Sequence, residues 1–166
     1  WENIFTESRK YNDEIIADVF GLKALEVAIS NKLNGIKIHS SDLSNIPLIE
    51  ECAKSNLQIY LATGGSTLIE IKNAVFAIKK QNFESKINLM HGYQAYPTKI
   101  NNNDLLRISE FKKCFGNNVT YGFMDHTDGS DEHAIYLPAT AIALGCTVIE
   151  KHITDDRSKK GIDYYS

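Results

Sequence analysis

The chain has 166 residues, 43% of them apolar and 23% charged, with a net charge of -3. This composition suits a globular domain with its own core and excludes bulk disorder or a coiled coil. No apolar run approaches the ~18 residues of a membrane span. Lys and Arg gather no further than adjacent pairs such as Lys79-Lys80, Lys112-Lys113 and Lys159-Lys160, so neither a membrane nor a nucleic acid is an expected partner. Cys52, Cys114 and Cys146 lie far apart with no Cys-x-x-Cys spacing, which argues against a disulfide framework or a cysteine zinc site and for reduced thiols in the cytoplasm. The first residue is Trp1 and no signal-peptide pattern follows it, so the natural N-terminus is expected upstream.

Along the chain, short β-branched runs alternate with longer helical patterns. The first expected strand is Glu14–Phe20, followed by a helix over Leu22–Leu33. That helix carries Leu22, Leu25, Ala28, Ile29 and Leu33 on one stripe, with a stop at Asn34-Gly35. A strand over Gly35–His39 leads to a helix opened by Ser44 or Asn45, with Pro47 in its first turn. Leu57–Ala62 is the third strand. Thr67-Leu68-Ile69-Glu70 then reads as a capping box ahead of Ile71, Val75 and Ile78 on one helix face. Lys86–His91 precedes an Asn101-Asn102-Asn103 loop and a helix over Asp104–Phe115 that stops at Gly116. Val119–Asp125 precedes a helix over Glu132–Leu144 that stops at Gly145, where Pro138 marks a kink or a late start. Thr147–His152 is the sixth strand. Most strands are near-continuous apolar runs, as parallel strands covered on both faces are. Six strands alternating with five helices predict a parallel α/β sheet, either doubly wound or of barrel type; a whole barrel needs eight strands, so a barrel reading leaves two units missing.

Polar residues gather just after the strands: Ser40, Ser41 and Asp42; Thr63-Gly64-Gly65; His91, Gln94 and Tyr96; Asp125 and His126; His152. In parallel α/β folds ligands bind at the C-terminal strand ends, so the clustering points to a site there. His39, His91, His126 and His152 each end a strand. His126 and His152, on neighbouring strands, are either half-buried histidines with local partners or a pair of imidazole ligands for a divalent metal. Thr63 to Thr67 reads first as a tight turn with an N-cap and second as an anion cradle. Lys37 within an apolar strand is either an anion ligand or a stem reaching solvent. Glu150 alternates with His152 and shares its face.

These motifs together resemble a known family. Lys37-Ile38-His39-Ser40-Ser41-Asp42 through Asn45-Ile46-Pro47-Leu48 is similar to a conserved-type segment of the sialic acid synthases. So are Ala62-Thr63-Gly64-Gly65, His91-Gly92-Tyr93-Gln94-Ala95-Tyr96-Pro97-Thr98, Gly122-Phe123-Met124-Asp125-His126-Thr127 and Glu150-Lys151-His152-Ile153-Thr154, with Gly161-Ile162-Asp163 following. Order and spacing agree from about Glu14 to Ser166, with a few extra residues after Asp128. The resemblance implies a parallel (β/α)8 TIM-type barrel of which residues 1–166 supply units three to eight. The first two strands and an antifreeze-like C-terminal domain lie outside this chain.

By that resemblance the reaction condenses phosphoenolpyruvate with an N-acylated amino sugar of the N-acetylmannosamine type, giving a nonulosonic acid and phosphate. A divalent metal, Mn2+ or alternatively Mg2+ or Co2+, would bind His126 and His152. Lys37 and Ser40 would contact phosphoenolpyruvate; Gln94 and Tyr96 would line its pocket, with Thr63 and Asp125 beside the substrates. Phe20, Asp42 and Asp163 would face the sugar. A homodimer is compatible with the family. The chain departs from the family pattern in that Ala62 and Met124 replace serines, Asp18 stands where a phosphate-binding threonine aligns, and Gly92 replaces a cysteine. The competing expectations are a barrel lyase or hydrolase using His91 as a third metal ligand and a metal-bound water, and a degenerate relative that only binds a sugar.

Overall fold

A computed structural model describes residues 1–12 and 14–166. Among them six strands follow one another in the sheet in chain order, β1 to β6. The elements are α1 Glu2–Ser8, β1 Ile16–Asp18, α2 Leu22–Ser30, β2 Gly35–Ile38, α3 Ile46–Lys54, β3 Gln58–Ala62, α4 Leu68–Gln81, β4 Ile87–His91, α5 Leu106–Phe115, β5 Thr120–Asp125, α6 His133–Ala143 and β6 Val148–Lys151. The fold class is the one expected, parallel α/β units of the TIM-barrel type. The chain divides into two compact units, Trp1–Asn88 and Leu89–Ser166.

In the first unit β1, β2 and β3 pair in parallel, with Asp18 beside Lys37 and Lys37 beside Tyr60. Laterally paired residues share a face, and successive residues alternate. Ile36, Ile38, Ile59 and Leu61 are therefore on one face, and all four are fully buried. With Leu25 and Ala28 of α2, Leu48, Ile49 and Cys52 of α3, and Ile71, Ala74 and Ile78 of α4 they make the core. Each large aliphatic side chain there contributes about 1.5–3 kcal/mol. Burial pushes the Cys52 thiol up to about 12, so it packs as a small hydrophobe.

Local signals set the helix ends. Asn45, not Ser44, caps α3 by accepting from the Leu48 N–H at 3.4 Å, and Pro47 sits in the first turn. Thr67 and Glu70 form the reciprocal capping box of α4, Thr67 N–H donating to Glu70 Oε2 at 2.7 Å. These donated bonds, led by the Thr67 hydroxyl, hold the Glu70 carboxyl below its usual range. One helix stop differs from the expected Asn34-Gly35: α2 ends at Ser30 and Lys32 takes the left-handed turn at φ 53°. Gly35 belongs to β2 instead. A Cβ there would stand 2.8 Å from the Tyr60 ring and 3.0 Å from the Gln58 carbonyl oxygen, so the glycine serves strand packing. The short helix α1, with Trp1 stacked on Phe5 at 5.9 Å, has no sequence-level expectation behind it.

In the second unit β5 and β6 pair in parallel, Met124 beside Glu150 and Asp125 beside Lys151. The core holds Leu89, Met90, Ile108, Phe111, Tyr121 and Phe123. Gly116 ends α5 at φ 56° as expected. Pro138 lies inside α6. It has no N–H to offer the Ala134 carbonyl one turn back, and Lys151 Nζ donates to that carbonyl at 3.2 Å instead.

Candidate functional site

Strand alternation sorts the second unit's polar residues onto two faces. Tyr121, Phe123, Asp125 and Lys151 belong to the helix face: the Tyr121 hydroxyl donates to Gly116 O at 2.6 Å, and Lys151 reaches α6. Met124 and Glu150 belong to the other face. His126 and His152 stand one residue past their strand ends and continue this second set. Their ring centroids lie 5.1 Å apart at 80°.

Each imidazole is held through Nδ1. His126 Nδ1 lies 3.1 Å from the Tyr93 carbonyl oxygen, and His152 Nδ1 lies 2.6 Å from Asp163 Oδ1. Both partners are acceptors, so Nδ1 carries a proton in each ring. Tyr96 stacks on His152 at 4.5 Å and meets His126 edge-on at 6.0 Å. Its hydroxyl is 2.6 Å from Ser166 Oγ, and the Tyr165 ring packs on it at 5.7 Å. The segment that carries Asp163 and Ser166 is tied down by Arg157, which donates to Tyr164 O at 3.0 Å and to Asp128 Oδ1 at 2.9 Å. Tyr165, Ser166 and the Tyr93 carbonyl carry no signal in the sequence. They sit in irregular segments where no periodicity marks a side chain, and a backbone oxygen leaves no compositional trace.

Among the described residues no three His, Cys, Asp or Glu side chains are grouped to hold a metal ion. His126 and His152 thus offer two nitrogens, and water or substrate would complete the coordination. Two imidazoles with Nδ1 already satisfied fit a divalent cation kept open to substrate.

His91 is not a third ligand. It falls on the helix face, its Nε2 2.7 Å from the Asn103 carbonyl oxygen and its ring 6.2 Å from both Phe111 and Phe123. Burial is the main cause that lowers its pKa, with the Asn103 carbonyl pulling the other way. An unfolded chain therefore takes up this proton first, near pH 6.5. The stability due to His91 is complete above that pH and declines as pH falls below it. His91→Gln is expected to flatten the slope of unfolding free energy between about pH 5 and 7, measured by urea titration at each pH; an unchanged slope would mean that His91 takes up its proton equally in the folded and unfolded chain.

Asp125 also differs from its expected place beside substrate. Its side chain is fully buried, Oδ1 accepts from the Thr127 N–H at 2.9 Å, and Oδ2 pairs with Lys151 Nζ at 2.5 Å. It fixes the backbone on either side of His126. Lys151→Met leaves this carboxylate buried and is expected to cost about 2–4 kcal/mol, below the fully buried range because Lys151 is partly exposed. Adding Asp125→Asn should recover much of that loss in chemical denaturation.

In the first unit the expected residues fall at the C-terminal ends of β1 to β3. Lys37 lies opposite the buried isoleucines on the strand, its side chain 14% exposed, with Nζ 3.7 Å from Asp18 Oδ2. Phe20 is exposed and its ring lies 5.7 Å from His39. Ser40 and Asp42 occupy a 3-10 turn, where Asp42 Oδ1 accepts from Asn45 Nδ2 at 3.1 Å. Thr63 is buried in a turn whose Ser66 N–H donates to Thr63 O at 3.2 Å, with Gly65 at φ 73°. The Thr63–Thr67 segment is thus a tight turn and an N-cap, as first read. In the second unit Gln94 is exposed in the loop between His91 and Tyr96.

A chain of parallel βα units in sequential order, with its polar residues at the C-terminal strand ends, has the form of part of a TIM-type barrel. A profile of the NeuB family matches residues 1–166, and the chain belongs to that family. It is 31% identical to the N,N'-diacetyllegionaminic acid synthase of Campylobacter jejuni over 98% of this chain and 47% of that one. It is 33% identical to the pseudaminic acid synthase of Helicobacter pylori over 93% of this chain and 43% of that one. The solved N-acetylneuraminic acid synthetase of Leptospira borgpetersenii, 32% identical, superposes with a TM-score of 0.88 over 99% of this chain and 54% of that one. The chain therefore spans about half the length of these relatives. Among the described residues no helix is long and apolar enough to cross a membrane.

Proposed function

We propose that this chain is the greater part of the barrel of a nonulosonic acid synthase, which joins phosphoenolpyruvate to the open-chain aldehyde of an N-acylated amino sugar of the N-acetylmannosamine type. The observation that carries the reading is the facing pair His126 and His152, each with Nδ1 fixed by an oxygen. In the reaction the methylene carbon of phosphoenolpyruvate forms a bond to the aldehyde carbon. Water adds at the phosphate-bearing carbon, and phosphate leaves. His126 and His152 would hold a divalent metal, Mn2+ before Mg2+ or Co2+, which would supply Lewis acidity toward the sugar aldehyde.

The chain's own residues do the positioning. Asp163 keeps His152 in one tautomer, and Tyr96 packs its ring in place. Lys37, with Ser40, Thr63 and Gln94, offsets and orients the anionic substrate. Asp42 and Phe20 take the sugar. Asp125 acts through the backbone around His126. Holding two reactants together removes up to about 7–11 kcal/mol of the entropic part of the barrier. The proposed setting is the cytoplasm, as a free enzyme or a homodimer.

The full-length protein, given phosphoenolpyruvate, N-acetylmannosamine and Mn2+, is expected to release one phosphate for each nine-carbon acid seen by mass spectrometry. Phosphate release without that acid would favour a hydrolase. No release, with sugar binding intact by calorimetry, would favour the non-catalytic relative, a reading that Ala62, Met124 and the Asp18–Lys37 pair support.

A further inference from the structure

On the β1–β2 ladder Asp18 and Lys37 are lateral partners, so their side chains leave the same face of the sheet. Lys37 is the more enclosed of the two, at 14% side-chain exposure against 39% for Asp18, and the ammonium lies 3.7 Å from the carboxylate. A lysine this enclosed needs a counter-charge. Here the chain provides one from the neighbouring strand, without any ligand.

We infer that Asp18 is a specificity-determining residue, an internal anion that competes with the anionic substrate for Lys37. This rests on the reading of Lys37 as a substrate-anion contact and adds to it a reason for weak anion affinity. An approaching phosphate or carboxylate must share Lys37 with a carboxylate already beside it, and the like charges repel. A neutral ligand meets no such barrier, because Asp18 and Lys37 together carry no net charge and offer both an acceptor and a donor. The pair therefore biases this part of the rim toward neutral hydroxyl-bearing ligands over phosphorylated ones. Asp18→Asn removes the competing charge with almost no change in shape, and Asp18→Thr also replaces it with a hydroxyl.

The test is calorimetric titration of the full-length protein with inorganic phosphate and with phosphoenolpyruvate. The forms compared are wild type, Asp18→Asn, Asp18→Thr, Asp18→Asn with Lys37→Met, and Glu26→Gln as a control for general charge. Circular dichroism checks that each is folded. Asp18→Asn and Asp18→Thr are expected to tighten both anions by about tenfold or more. Glu26→Gln should leave them unchanged, and adding Lys37→Met should erase the gain. Equal binding by wild type and both Asp18 variants overturns the inference while leaving phosphoenolpyruvate use in place. A gain that survives Lys37→Met overturns it too, because the anion would then sit elsewhere. If no form binds either anion, both this inference and the synthase reading fall.

Discussion

Replacing either His126 or His152 by alanine is expected to abolish Mn2+-dependent condensation. Each imidazole stands past its strand end, half exposed, with Nδ1 engaged by an oxygen. On the proposed reading, losing one of the two histidines would leave the cation with a single protein nitrogen. Rim residues of barrel units contribute more to function than to packing, so the unfolding free energy should move by no more than about 1 kcal/mol. The check is paired: Mn2+ binding by electron paramagnetic resonance, and urea denaturation of the same samples. Activity lost with Mn2+ affinity unchanged would place the metal elsewhere. Asp163→Asn gives a graded version. It keeps an oxygen acceptor near His152 Nδ1 but removes the charge, and should weaken Mn2+ by about 10- to 100-fold.

The second large effect concerns phosphoenolpyruvate. Ala62 and Met124 stand where the resembling sequences have serines. Hydrogen bonds to a charged group contribute about 1.5–3 kcal/mol each. Ala62→Ser with Met124→Ser is therefore expected to tighten phosphoenolpyruvate by roughly two orders of magnitude in the presence of Mn2+. Structure adds a complication. Met124 is 1% exposed and packs on Gly92, where a Cβ would lie 2.8 Å from Met124 Cβ and 2.9 Å from Met124 Cε. Met124→Ser thus also opens a void next to a residue that has no side chain to fill it, at about 2–5 kcal/mol of stability. Titrations belong well below the unfolding midpoint, and Ala62→Ser alone separates the hydroxyl from the cavity. Tight binding by the natural sequence with no gain in the double variant would mean that the phosphate lies away from residues 62 and 124.

Gly92 and Met124 also show what a single sequence conceals. Each reads separately as a departure from a motif. Only their contact shows a large side chain sitting against a missing one.

Much of the framework is written in local chemistry. Apolar β-branched runs announce the six strands, because a parallel strand covered on both faces has few polar positions to offer. The capping box at Thr67-Glu70, Asn45 ahead of Pro47 and Gly116 after α5 set helix ends through contacts a few residues apart, which the sequence displays directly. Strand alternation likewise puts Glu150 and His152 on one face from the sequence alone. Those interactions are short-range, and their spacing is their mechanism.

Tertiary structure alone decided the rest. His91 is the last residue of its strand and His126 is one residue past its own, so one lies among Phe111 and Phe123 and the other beside His152; one residue of offset reverses the face. The resemblance puts Asp125 beside the substrates, but alternation turns it to Lys151, 26 positions away. The Asp163–His152 and Ser166–Tyr96 bonds span 11 and 70 residues through irregular chain. The Asp18–Lys37 pair exists because β1 and β2 are lateral neighbours in one particular register. Long-range pairings like these depend on how strands align and loops return, and neither composition nor periodicity encodes that alignment in a form that can be read from neighbouring residues.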